Sequence, residues 1–131
     1  MIVLDTHVII WDALQPDRLS RRARKAIAQA NQEDGILFCD ISLWEIAMLI
    51  QKRRVWVDAT YLEFITQLLA SNQYNLKRIT PEIAELSITL PAAISKDPAD
   101  RIIAATSIIE RARLVTADDN LRRAAMIDAL W

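Results

Sequence analysis

Short runs of β-branched and large apolar residues alternate along this chain with longer stretches whose apolar positions recur at helical spacing. Ile2–Leu4 is a buried-strand pattern that stops at Asp5. Val8–Leu14 predicts a short helix, broken by Gln15-Pro16-Asp17, and Ser20 predicts the N-cap of a basic helix reaching Gln32. Gly35 closes that helix ahead of a second strand, Ile36–Cys39. From Ser42, SLWEIAMLIQKRR places Leu43, Ile46, Ala47 and Ile50 on one face of a strong helix. A further helix is predicted over Asp58–Ser71 and a third strand over Leu76–Ile79. Pro81, after Thr80, starts a helix that stops before Pro91, and Pro98, after Asp97, starts one that runs to Arg111. A fourth strand over Arg113–Thr116, a short helix and a last strand around Met126–Asp128 complete the pattern. This alternation predicts an α/β fold of three layers, with a largely parallel sheet and right-handed crossovers that put helices on both faces.

Composition narrows the picture. The 131 residues fit one domain, 1–131, large enough for a real core; 53% are apolar and glycine occurs once, which leaves little material for linkers or disordered tails. Cys39, the lone cysteine, has no partner for an intramolecular disulfide and fits a reducing compartment. The first strand leaves no room for a basic and an apolar leader segment, and no apolar stretch has the length of a membrane span, so a soluble, cytoplasmic protein is expected. A net charge of −1 makes the whole molecule no magnet for nucleic acid. Basic residues nevertheless cluster at Arg21–Lys25 and Lys52–Arg54. Each cluster reads as a solvated helix face or, where several share one side, as a phosphate-binding rim.

In open parallel sheets, ligands sit beyond the carboxyl ends of the strands. Asp5 ends the first strand there and Asp118 follows the fourth. Read locally, every acid of interest has a structural role. Ser42 and Glu45 have the spacing of a capping box, Asp97 and Asp100 that of a helix start, and Thr116 or Asp118 could cap the last short helix. Asp5-Thr6 could cap the helix after it. Yet no basic residue supports Glu45 along its helix, where the neighbours are Ile41, Ser42, Met48 and Leu49. Glu45 and Asp100, each placed in the first turn of a helix, are expected to be held ionised by the helix dipole. Two strand-end and two helix-start acids meeting at one end of the sheet would repel by roughly 3 kcal/mol per pair at 5 Å, a cost that calls for a counter-charge. Oxygen ligands alone select hard cations such as Mg²⁺ or Mn²⁺, and the scarcity of Cys and His argues against zinc. His7, the one histidine, is read as a packed or rim residue.

The segments LDTHVIIW, SLWEIAML, KDPADRIIAATS and LVTADDNL, in this order, resemble the PIN-domain proteins of the VapC-type toxin group, the ribonuclease half of bacterial and archaeal toxin–antitoxin pairs. The resemblance implies a metal-dependent endoribonuclease with a PIN-like α/β/α fold. It makes Asp5, Glu45, Asp100 and Asp118 the acidic quartet that holds Mg²⁺ or Mn²⁺, with Glu45 as second-metal ligand or general base. Thr6, Ser42 and Thr116 would support the site, and Asp97 would cap its helix and touch a metal-bound water. The spacing T-x-D selects Asp118 over Asp119, and Ala99 departs from the bulky aromatic frequent in relatives. Water activated by the metal would cut RNA to leave 5′-phosphate and 3′-hydroxyl ends. RNA contacts are expected from Arg101, Arg21, Arg22 and Arg53. A homodimer and a cognate antitoxin that lays an apolar segment near the site complete the implied partners.

The rival readings fail on particular residues or stay open. A haloacid-dehalogenase-type phosphatase needs an aspartate where His7 stands, and a receiver domain needs an acid and a lysine where Cys39 and Thr116 stand. A PIN scaffold that binds RNA or protein without cutting remains the alternative.

Overall fold

A computed structural model describes residues 1–131. Five short strands, β1 (Ile2–Leu4), β2 (Ile36–Cys39), β3 (Tyr74–Lys77), β4 (Arg113–Val115) and β5 (Ala129–Leu130), pair in the order β3-β2-β1-β4-β5, every pair parallel. Seven helices connect them: α1 (Thr6–Leu14), α2 (Arg21–Gln32), α3 (Ile41–Gln51), α4 (Tyr61–Ala70), α5 (Pro81–Thr89), α6 (Pro98–Ile109) and α7 (Asp119–Arg123).

Both faces of the sheet are covered, as the near-continuous apolar strands require of a parallel sheet. Successive residues point to opposite faces. Leu4, Phe38 and Val115 therefore pack with Ile9, Ile27 and Ile46, while Val3, Cys39 and Leu114 pack with Ile83, Ile103 and Leu121. Helices α1 to α4 contribute to the first layer and α5 to α7 to the second. No helix is long and apolar enough to cross a membrane.

The caps largely follow the sequence. Ser20 accepts the Ala23 N–H at 3.0 Å, Thr80 accepts from Ile83 at 3.2 Å, and Asp97 accepts from Ala99 at 2.8 Å. Gly35 has φ 85°, and a Cβ there would stand 2.7 Å from the Asn75 amide nitrogen and 2.9 Å from the Gln73 carbonyl. Glycine is thus required where α2 turns into β2.

Two strands lie off their expected positions. The third is Tyr74–Lys77 rather than Leu76–Ile79, because pairing with β2 sets Phe38 opposite Leu76 and leaves Leu76 and Ile79 exposed at the sheet edge. Tyr74 supplies the burial instead, meeting the Phe38 ring edge-on at 5.2 Å. The last strand is Ala129–Leu130, not Met126–Asp128: the Ile127 side chain is buried, but its N–H closes a turn onto the Ala124 carbonyl. Helix α4 starts at Tyr61, capped by Thr60, rather than near Asp58.

The strand order reverses between β1 and β4, since β2 and β3 extend to one side and β5 to the other. That switch point is where a crevice opens beyond the strand ends.

Candidate functional site: a carboxylate cluster at the sheet switch point

Asp5 leaves β1 at this crevice and stays 6% exposed, its N–H bonded to the Val115 carbonyl at 3.1 Å. Thr116, fully buried one residue past β4, donates its hydroxyl to Asp5 Oδ2 at 2.7 Å, joining residues 111 positions apart. Across the crevice, Thr6 donates to Glu45 Oε1 and lies 2.8 Å from the Ser42 hydroxyl. On the other flank, Ser95 donates to Asp100 Oδ2 at 3.1 Å and itself accepts the Asp97 N–H at 3.0 Å. One oxygen of each of Asp5, Glu45 and Asp100 is therefore fixed by a neutral hydroxyl, and a second is left over.

The capping box expected from Ser42 and Glu45 does not form. Helix α3 begins at Ile41, its N-cap position is Asp40, and no side chain caps it. With Ser42 and Glu45 both turned to Thr6 and both buried, their polarity serves the crevice and not the helix end.

One carboxylate oxygen from each of Glu45, Asp97 and Asp100 lies within 4.8 Å of the others, the spacing of ligands around one cation. None of them is in an ion pair, although His7 lies near enough to Glu45 and Asp5 to offset part of the cost. The four ion pairs of the chain, Met1 amino–Asp34, Lys77–Glu110, Arg113–Asp128 and Arg122–Asp119, all lie elsewhere. The cost shows in their acidity. Burial, followed by the charges of Asp5 and Asp97, pushes Asp100 up to about 7. Burial likewise raises Glu45 and Asp5, and Asp118 adds to the effect on Asp5. For Asp100 this runs against the expectation that the helix dipole keeps it ionised, since desolvation and like charge outweigh the dipole, and Glu45 shifts in the same direction. The donor set is all oxygen, hydroxyl-buttressed and anionic, which fits a hard divalent cation.

Over residues 2–126 the sequence matches the PIN domain family. The chain belongs to the PIN-domain family. The resemblance to its VapC-type members holds as well, because the chain is 37% identical over 121 residues to Ribonuclease VapC22 of Mycobacterium tuberculosis, covering 92% of this chain and 89% of that protein. The fold is similar to VapBC2 from Rickettsia felis bound to a promoter DNA fragment, with TM-score 0.76 and 15% identity over 99% of this chain and 98% of that one. It is also similar to a toxin–antitoxin complex from Klebsiella pneumoniae, with TM-score 0.66 and 20% identity over 97% of this chain and 95% of that one.

Within this PIN domain, the residues expected at the site fall into three groups. Asp5, Glu45 and Asp100 meet at the crevice with Thr6, Ser42 and Thr116 behind them. Asp97 does two things at once, capping α6 and contributing to the tight group of three. Asp118 stands at the outer edge, where it caps α7 by accepting from Leu121 at 3.0 Å while its N–H donates to Thr116. Asp119 is exposed and turned to Arg122 at 3.6 Å.

The four arginines expected to meet RNA lie in different settings. Arg101 is not a surface cation: its guanidinium donates to the carbonyls of Ser87 at 2.7 Å and Ser95 at 2.9 Å, and to those of Leu90, Pro91 and Ile88. Its donors tie the α5–α6 loop together and leave none for phosphate. Arg21 and Arg22 are exposed on α2, and Arg22 lines one groove with Met1 and Arg113 and another with Asp119 and Trp131. Arg53 ends α3 with φ 57°, and its neighbour Arg54, not Arg53, lines the groove beside Glu45. One supporting residue of the site was missed. Ser95 had no signal beyond its place ahead of Lys96-Asp97. Asp40, whose buried Oδ1 has no partner, directly follows an apolar strand just as Asp5 does.

Proposed function

We propose that this chain is a divalent-metal-dependent endoribonuclease and the toxin of a toxin–antitoxin pair. The observation that carries the reading is the group of Glu45, Asp97 and Asp100 within 4.8 Å, with no ion pair to any of them. RNA as substrate is supported by the relative named a ribonuclease, and an antitoxin partner by the similar fold of a toxin–antitoxin complex. A homodimer in the cytoplasm belongs to the same reading through the family resemblance.

Glu45, Asp97 and Asp100 would hold Mg²⁺ or Mn²⁺, with Asp5 beside them and Asp118 at the rim. The chemistry a divalent cation would supply there is Lewis-acid charge, which would lower the pKa of a water and offset the charge that grows on the phosphate. Thr6 and Thr116 each hold one carboxylate oxygen of Glu45 and Asp5 and so orient the other, which leaves little reorganisation for the moment of reaction. Glu45, whose burial raises its basicity, would serve as a metal ligand or as the general base that takes a proton from the attacking water. Displacement at phosphorus then leaves a 5′-phosphate and a 3′-hydroxyl.

The test is digestion of total small RNA by the purified protein, with Mn²⁺ or with chelator, beside Asp100→Asn. Cleavage confined to wild type with metal is expected. Cleavage that survives both chelator and the substitution would sink the mechanism, and RNA bound but never cut would favour a non-catalytic PIN scaffold.

A further inference from the structure

The side of the carboxylate cluster that Asp118 borders leads onto a second charged surface. Asp118 caps α7, a helix of five residues, so the basic last turn with Arg122 and Arg123 lies about 7.5 Å beyond the Asp118 rim. There a groove of about 500 Å³ is lined by Asp119, Arg122 and Arg123 of α7, by Arg22 of α2, and by Ala129 and Trp131 at β5. β5 has a strand on one side only, so the groove borders the free backbone groups of a sheet edge. Its charges do not balance. Asp119 is its one acid, and Arg122 answers it at 3.6 Å. Arg22 and Arg123 are exposed and in no ion pair. Arg123 donates to the Asp119 carbonyl at 3.2 Å and to the Asn120 side-chain oxygen at 3.4 Å, which leaves most of the guanidinium donors free. All the cations of the groove are arginines, whose planar forks match the oxygens of a phosphate two at a time. Trp131 is a fixed wall, since its ring packs against Trp11 at 5.8 Å.

We infer that this groove is a second contact for RNA, outside the carboxylate cluster, in which Arg22 and Arg123 hold backbone phosphates of the strand that leaves the cut past Asp118. The inference rests on the ribonuclease reading and adds the path the substrate takes beyond the bond that is cut. A stacked strand carries a charge about every 3.4 Å, so about two linkages span α7 and bring a phosphate to Arg123. A polyanion suits the groove because the charge left over there is positive and exposed. The carboxylates need a cation before they can meet a phosphate, whereas these arginines meet one directly. Contacts to backbone oxygens carry no sequence information, so the groove adds affinity and orientation without a base preference.

The test compares wild type with Arg22→Ala, Arg123→Ala and the double variant. Arg78→Ala, an exposed arginine just past β3 at the opposite edge of the sheet, controls for lost charge. Anisotropy of a fluorescein-labelled RNA of mixed sequence is measured in chelator across a salt series, and cleavage of the same RNA is measured with Mn²⁺. Each groove substitution should lower the salt slope by about 1, and the double variant should bind on the order of tenfold weaker. KM should rise with kcat unchanged, because a contact made equally in the ground and transition states adds only uniform binding. Arg78→Ala should match wild type. If wild type cuts RNA but the double variant keeps its salt slope and KM, the groove assignment fails and the ribonuclease reading stands. If Arg78→Ala weakens binding as much as the groove substitutions do, net charge alone explains the effect and the assignment fails. If wild type cuts no RNA, both fail. Melting in inorganic phosphate separates the remaining source of the same chemistry. If phosphate raises the melting temperature of wild type but not of the double variant, while their RNA binding is equal, the groove holds a small anion and the inference is wrong.

Discussion

The two ends of the sheet treat charge in opposite ways. At the amino end, the chain's own amino group pairs with Asp34 at 2.8 Å and Arg113 pairs with Asp128 at 3.3 Å. At the carboxyl end, Asp5, Glu45, Asp97 and Asp100 crowd together, three of them made weaker acids by burial, and none of the four is in an ion pair. Both ends are built from the same residue types. What differs is that one closes its electrostatics within the chain and the other leaves them open, which marks the carboxyl end as the place where something from solution is needed.

The sharpest way to break this contrast is to neutralise one open acid. Asp100→Asn should cut RNA cleavage by about 10²–10³-fold, the size of effect seen when one preorganised electrostatic group is lost, measured as kcat under saturating Mn²⁺. In chelator the same variant should melt higher than wild type, because it relieves like-charge repulsion that nothing offsets.

Arg101→Ala separates the site from its frame. Losing donors to five carbonyls should destabilise the protein by about 3 kcal/mol or more, read by urea unfolding. A stable variant with weakened RNA binding would restore the phosphate-contact role that its hydrogen bonds deny.

Thr6→Val and Thr116→Val remove the hydroxyls that orient Glu45 and Asp5. Each should lower metal affinity or turnover by about 10–100-fold. Full activity in both would show that the acids need no buttress.

The pH dependence follows from the raised acids. Asp100 moves from 3.8 to about 7, so between those values the folded chain keeps a proton that the unfolded chain has lost. In chelator, stability should therefore decline as pH rises through that window, and Asp5 and Glu45 act in the same direction. Melting temperatures across pH check the sign, and a rise toward pH 7 would contradict it. The smallest effect belongs to the closed end: Asp128→Asn breaks an exposed pair and should change stability by about 0.5 kcal/mol or less.

How much of this was legible in the sequence depends on how local each signal is. Strand-end Asp5 and the Asp97-Pro98 helix start were readable because burial patterns and caps are written in neighbouring residues. The shift of β3 was not, since its register is set by β2, across the sheet, through Phe38 and Tyr74. Ser42 and Glu45 read as a capping box by spacing, and only the approach of Thr6, from a different helix, takes them for the crevice. The setting of Arg101 was hidden for a related reason: next to Asp100 in sequence, its guanidinium bonds to loop carbonyls that no local pattern reveals.

The central claim is that the carboxyl-end acids share a divalent cation, and the most direct test is the melting temperature of wild type and Asp100→Asn across a Mn²⁺ titration. Binding to the native state should raise wild-type stability progressively, by about 2.7 kcal/mol at a hundred times the dissociation constant, while Asp100→Asn stays nearly flat. Identical curves for the two proteins, whether both rise or both stay flat, would contradict the account.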